Sequence, residues 1–400
     1  MHVSTISLLS ELNSAGNHSA TKEWNRLIEG DNPFVRYEFL AALERTGCIN
    51  GTTGWTPQHL VVHTDGPRQG RLVGAVPLYL KYHSYGEYVF DWAWANAYTR
   101  AGYEYYPKLV AAAPFTPATG PRLLIASGRD EEKIAGLLIH GALEAAQSTH
   151  VSSLHWLFTN DADTHRLEAH GLLRRVGCQF HWLNPGYRDF EDFLSTFTAR
   201  KRKKIKRERR YVTEAGIIME ALPGDAVTSA QWDIFYEFYH ATIRAHGAVP
   251  YLTRDFFHAL GETMPDNLLL VFARHDKNYV AGAFYLQSND TLYGRYWGSL
   301  KDFHSLHFET CYYTAIEYCI AHGLKRFEAG AQGEQKLARG FVPTATYSAH
   351  WLRHPQFSRA VADFLAREQN SMAYYMDELN EHSPFKKHAN LEASDVGTGP

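Results

Sequence analysis

Three stretches of the chain hold residue types that could do chemistry. The segment EAGAQGEQKLARGF (328–341) follows a short β-like run, and α/β sheets expose backbone amides and side chains to ligands at such strand ends. Gly330 and Gly333 permit close backbone approach, while Gln332, Glu334, Lys336 and Arg339 offer polar groups to a substrate. Residues 200–210 read RKRKKIKRERR, nine basic residues and one glutamate in a chain of net charge −3. Packed along one helix these cations repel each other, and a phosphate-rich ligand on Arg202, Lys203, Lys204 and Arg207 would relieve the repulsion. Around residue 90, Glu87 and Asp91 lie among Tyr85, Tyr88 and Trp92. On a strand the two carboxylates would share a face. Between aromatic rings they could hold an acceptor ammonium by charge and cation–π contact.

Each stretch also has a plainer reading: a Gly-rich turn with surface charges, a solvated helix face, and an aromatic core with rim carboxylates. His304, His307 and Cys311 suggest metal ligation, but only the last two are spaced i, i+4 and no second ligand pair accompanies them, so no metal is expected. No G-x-S-x-G motif supports a serine hydrolase.

The elements that must position these residues are clearest in the second half. Three β-like runs, LLLVFAR, YVAGAFYLQ and TLYGRYWGS, are separated by turn residues at hairpin spacing. Phe308, Cys311, Tyr312, Ala315, Ile316, Cys319 and Ile320 then recur with helical period, with Ser305 as the expected N-cap and Gly323 just past the end. A short strand follows over 325–329. The first half repeats this order: HLVVHT, RLVGAVPLYLKY and PRLLIAS as strands, a helix over 131–147, and a strand over 154–158. Matching the two copies leaves an aromatic-rich insert near 85–119 in the first.

The spacing predicts an α/β (α+β) protein with domains at 1–186 and 187–388 and a solvated tail at 389–400, the boundary falling at Asn184-Pro185-Gly186. Phe190, Phe193, Leu194 and Phe197 form an apolar stripe leading into the basic run, and further helices are expected around 229–245 and 356–381. Hydrophobic residues at 45% and charged residues at 21% suit a buried core and exclude a disordered chain. No apolar run is long enough to span a membrane, no secretory signal is visible, and four scattered cysteines fit no disulfide framework. A cytoplasmic location is expected.

The blocks DNPFVRYEFLAALERTG (31–47), SYGEYVFDWAWANAY (84–98), YYPKL (105–109), PFTPATGPRLL (114–124) and EAGAQGEQKLARGF (328–341) resemble a bacterial family of predicted N-acyltransferases. That family is related to the FemAB peptidoglycan-bridge aminoacyltransferases, and the resemblance spans roughly residues 30 to 385. It implies tandem GNAT-like (acyl-CoA N-acyltransferase-like) domains and transfer from an activated carrier, acyl-CoA or aminoacyl-tRNA, to a small-molecule or peptide amine. Carried over by motif, Lys336 sits beside the transferred acyl group, where a cation stabilises the oxyanion. Glu328 or Glu334 would accept the amine proton. The openings KDFHSLHFE (301–309) and ASGRDEEK (126–133) depart from the glycine-rich pyrophosphate turn of GNAT proteins, which favours a donor other than CoA, such as transfer RNA. No bound cofactor is expected. The alternative is a non-catalytic module that binds RNA or a cell-wall precursor through the basic helix.

Overall fold

The computed structural model describes residues 1–15, 20–65, 70–128, 130–331 and 333–386. Gln332 and the tail at 389–400 lie outside the described residues. The chain forms two compact units: Met1–Cys178 with Val249–Asn267 and Ala345–Tyr374, and Gln179–Ala248 with Leu268–Thr344 and Tyr375–Pro400. The units are therefore not the contiguous 1–186 and 187–388. Residues 347–352 of strand Val342–Leu352 pair with Ser153–Thr159, which returns late sequence to the first unit.

In the first unit, Pro77 divides RLVGAVPLYLKY into two strands, as a residue without an N–H must. Leu72–Val76 joins His2–Ile6, His59–His63 and Leu124–Ile125 in one antiparallel sheet. Leu78–Lys81 pairs antiparallel with both Trp55–Pro57 and Lys108–Ala111, and the latter runs parallel to Ser153–Thr159. Helix Glu131–Ser148 makes that parallel crossover. It buries Ile134, Leu138, Ile139 and Ala142 against Leu60, Val62, Leu154 and Trp156.

The second unit orders Ile217–Pro223, Leu268–His275, Asn278–Gln287 and Thr291–Ser299 as an antiparallel meander. Asp276, at φ 55°, makes the tight turn between the second and third. Arg326–Glu328 then runs parallel to Thr291–Ser299 and antiparallel to residues 181–183 of strand Leu173–Leu183. The crossover is helix 306–321, whose middle, Glu309–Tyr313, widens to a π-turn. Helix Ser229–Ala245, capped by Thr228 and Gln231, packs Trp232 and Phe235 on Phe284.

The expected duplication holds at the level of order: meander, helix, parallel strand, twice. Two details differ. The third strand of the first copy is Lys108–Ala111, inside the supposed insert 85–119, while PRLLIAS supplies only Leu124–Ile125. A four-residue buried strand is too short to show alternation, so its pattern did not betray it. Ser305 adopts φ 68° and its side chain caps nothing, whereas Gly323 takes the left-handed position expected of it.

Candidate functional site

The chemistry-bearing residues of the second unit gather where two parallel strands part. Pairing between Thr291–Ser299 and Arg326–Glu328 stops at Tyr293 and Glu328. On its other side Thr291–Ser299 steps past Arg295, because Tyr285 pairs with Gly294 but Phe284 with Tyr296. Parting and bulge together open a hollow of about 230 Å³, lined among others by Tyr285, Gly294, His307, Cys311, Tyr312 and Gly330. Gly294 keeps it open: a Cβ there would lie 3.3 Å from the Phe327 ring and 3.5 Å from Ala329 Cα. A second hollow of about 420 Å³, at the entry to helix 306–321, includes Lys301, His304 and Ser305. Trp297 and His307 line both.

The Gly-rich segment delivers Lys336 to this place. Gly333, at φ 119°, starts the tight helix Glu334–Arg339. Lys336 is 2% exposed, and its Nζ donates to the carbonyl of Gly330, in the wall of the hollow, at 2.8 Å. Burial lowers its pKa to about 8. Burial, with Arg339 and Lys336 nearby, lowers His307 to about 4, which keeps the imidazole neutral, and burial pushes the Cys311 thiol up. Glu328 ends its strand buried, with Arg326 Nε at 3.2 Å and His181 at 4.0 Å. Glu334 is exposed and accepts from the Tyr375 hydroxyl at 2.8 Å. Arg339 is buried and paired with Glu208 at 3.0 Å.

The basic run is helical over Ala199–Glu214, following the short buried helix Phe190–Ser195. Ile205, Glu208 and Val212 face inward. Arg209 is committed to Glu309 and Glu317 at 2.9 and 2.7 Å. Lys203, Lys204 and Arg207 are exposed and Arg202 is half-buried, so the outer face keeps most of the candidate anion ligands.

In the first unit the strand expected around Glu87 and Asp91 is absent. Residues 82–91 form a loop that ends at Asp91, the residue before helix Trp92–Arg100. Both carboxylates turn inward to the buried Lys108 Nζ, at 2.8 Å from Glu87 and 2.5 Å from Asp91. Burial raises Glu87 to about 7. Burial works against Asp91 too, but Lys108, His155 and the Tyr105 hydroxyl hold it down at about 2. Tyr105 continues the network to His155, and His155 to His350. Tyr85 and Trp92 stay exposed, with their rings edge to face at 5.4 Å.

A family signature for FemAB-like proteins, described as peptidoglycan biosynthesis/recognition, matches residues 17–387. The chain belongs to that family. No curated protein matches its sequence. Among solved structures, that of FemX superposes with a TM-score of 0.55 at 12% identity, covering 86% of this chain and 99% of FemX. The C-terminal domain of a putative lysylphosphatidylglycerol synthetase from Agrobacterium fabrum gives 0.50 at 10% identity, covering 87% and 95%. These likenesses show the fold, and the repeated meander–helix–strand order makes the FemAB-like chain a tandem of GNAT-like units. The family sets it among proteins of peptidoglycan biosynthesis or recognition. No helix of the described residues is long and apolar enough to cross a membrane.

Sequence reasoning passed over several residues of this FemAB-like site. His307 entered only as a metal candidate, and Tyr285, Arg295 and Trp297 read as ordinary strand residues. The bulge that assembles them is a register step, and register has no local signature. Lys81, 4.0 Å from Glu87, and Lys108 were equally hidden, since one ends a strand, the other begins one, and each reads as a charge at a strand's edge. The signal available was the pairing of two such lysines with two carboxylates inside an apolar, aromatic stretch.

Proposed function

We propose that the protein is an N-acyltransferase that moves an acyl or aminoacyl group from an activated carrier to an amine. The observation that carries this reading is the hollow between parting strands, with Lys336 tied to its wall through Gly330. The amine nitrogen attacks the activated carbonyl carbon and forms the C–N bond. The carbonyl oxygen becomes an oxyanion that Lys336 offsets, and collapse expels the carrier's sulfur or oxygen. Glu328, next to the hollow's wall at Ala329 and Gly330, takes the proton the amine must lose, and the leaving group takes one back. Exposed Glu334, bonded to Tyr375, is the weaker candidate. The larger hollow admits the carrier, and the outer face of the basic helix suits the phosphates of aminoacyl-tRNA, with a peptidoglycan precursor as acceptor in the cytoplasm.

Thermal-shift measurements with acetyl-CoA, longer acyl-CoAs, charged tRNA and a nucleotide-linked muropeptide test the proposal. A donor near 100 times its dissociation constant adds about 2.7 kcal/mol of stability. A shift from one donor class, followed by transfer to an amine, supports it. Binding of RNA or muropeptide by a chain that transfers nothing supports the binding-module reading instead.

A further inference from the structure

The basic run 200–210 carries one acidic residue among nine cations, and that residue points inward. Glu208 lies three residues after Ile205 and four before Val212, on the buried stripe of the helix. Its Oε2 accepts from Arg339 Nη2 at 3.0 Å and from the Tyr313 hydroxyl, while Lys204 Nζ stands 3.8 Å from Oε1. Arg339 is in turn held at two further points. Its Nη1 donates to the Gln335 carbonyl at 2.8 Å, and its guanidinium lies 3.4 Å from the centre of the Phe308 ring. Gln335 and Arg339 bracket Lys336 within the single tight helix Glu334–Arg339.

We propose that Glu208 is a positioning residue: through Arg339 it fixes the turn that holds Lys336 against the wall of the hollow. The inference deepens the acyl-transfer reading and rests on it. A charge-assisted match to a carboxylate holds a buried guanidinium in place, here through the single Nη2 bond, with Nη1 on a carbonyl and Nε without a hydrogen-bond partner among the described residues. Glu208 supplies that match from a different element, so the basic helix braces the turn as well as presenting its outer charges. The same brace reaches helix 306–321 through Tyr313 and Phe308, which flank the hollow residues Cys311 and Tyr312.

The test reads Lys336 directly, without any donor. Competitive labelling of the intact protein with acetic anhydride across pH, followed by mass spectrometry of the Lys336 peptide, gives the amine's titration midpoint. In the native protein this lies near 8. Glu208→Gln and Arg339→Lys free the turn and admit water to the amine, so the midpoint rises by about half a unit or more. In a transfer assay the same variants lower kcat by about tenfold or more at unchanged donor KM, because displacement of a reacting group costs rate rather than binding. Native midpoints in cooperatively melting Glu208→Gln and Arg339→Lys would overturn the inference. Should the Glu208 variant fail to fold, Tyr313→Phe, which loses only a hydroxyl, carries the labelling test with a smaller shift in the same direction, and a native midpoint there also overturns it. Absence of transfer in the native protein would remove the acyl-transfer reading and leave the labelling result standing by itself.

Discussion

The two parallel crossovers have the same plan and opposite interiors. In each, pairing ends after three residues: Ala111 with Trp156 in the first unit, Tyr293 with Glu328 in the second. Beyond that point the first unit is filled. Tyr88 and Val89, from loop 82–91, pack on Val110, Ala112, Leu157 and Phe158 just where the strands part. The loop is anchored from below by Glu87 and Asp91 on Lys108. In the second unit no loop among the described residues enters in this way. Gly294 and Ala329 line the hollow, and the lysine of this copy reaches the wall from a turn. The same geometric accident, two strands that cannot stay paired, is packed as core in one copy and leaves a hollow in the other. A buried lysine is accordingly paired with carboxylates in the first unit and bonded to a backbone carbonyl beside a hollow in the second.

The sharpest way to break this contrast is to remove each lysine. Lys108→Met leaves Asp91 without its cation and Glu87 with only Lys81, 4.0 Å away, and stability measured by denaturant unfolding should fall by about 3–5 kcal/mol. A loss below about 1 kcal/mol would mean that the network contributes little. Lys336→Met should instead lower single-turnover transfer by about 10²–10³, equivalent to roughly 2.7–4 kcal/mol, with melting unchanged or raised. Near-native activity in that variant would move the chemistry away from the hollow at Gly330.

The pH dependence of stability sharpens the same point. Burial lowers Lys336 from 10.5 to about 8 in the folded chain, so between those values the unfolded chain binds more protons. Relative to Lys336→Met, the native protein should therefore gain stability as pH rises from about 8 to 10.5, by up to about 1.4 kcal/mol per unit. A difference of the opposite sign in paired melts would show that the ammonium is stabilised in the fold.

Smaller effects are expected at the plug and on the outer helix face. Tyr88→Ala should destabilise the first unit by about 1–3 kcal/mol and leave transfer intact. If transfer fell in step with stability, the plugged copy would have a part in the reaction. Lys203→Glu, on the exposed side of the basic helix, should weaken donor binding no more than about fivefold, and less as salt increases. A salt-independent effect would exclude a phosphate contact there.

Much of this protein was decided locally. The β-like runs LLLVFAR, YVAGAFYLQ and TLYGRYWGS with the turn residues between them, the period of 308–320 and the helix around 229–245 are each specified through contacts within a few residues, and all appear where expected. So does the Gly-rich turn, because Gly330 and Gly333 adopt left-handed backbone that other residues rarely take. Tertiary structure decided the rest. Whether Glu87 and Asp91 face a ligand or Lys108 depends on a loop folding back onto a strand some twenty residues later. Whether Arg339 serves a substrate or Glu208 depends on a pairing across 131 residues. The hollow itself exists because one strand steps in register past Arg295 while its parallel neighbour ends. Residue type and spacing define what a segment can become, but a carboxylate's partner and a strand's register are settled by whatever the fold brings beside them. The two copies show this directly, with one packing Tyr88 and Val89 between parting strands and the other lining a hollow there.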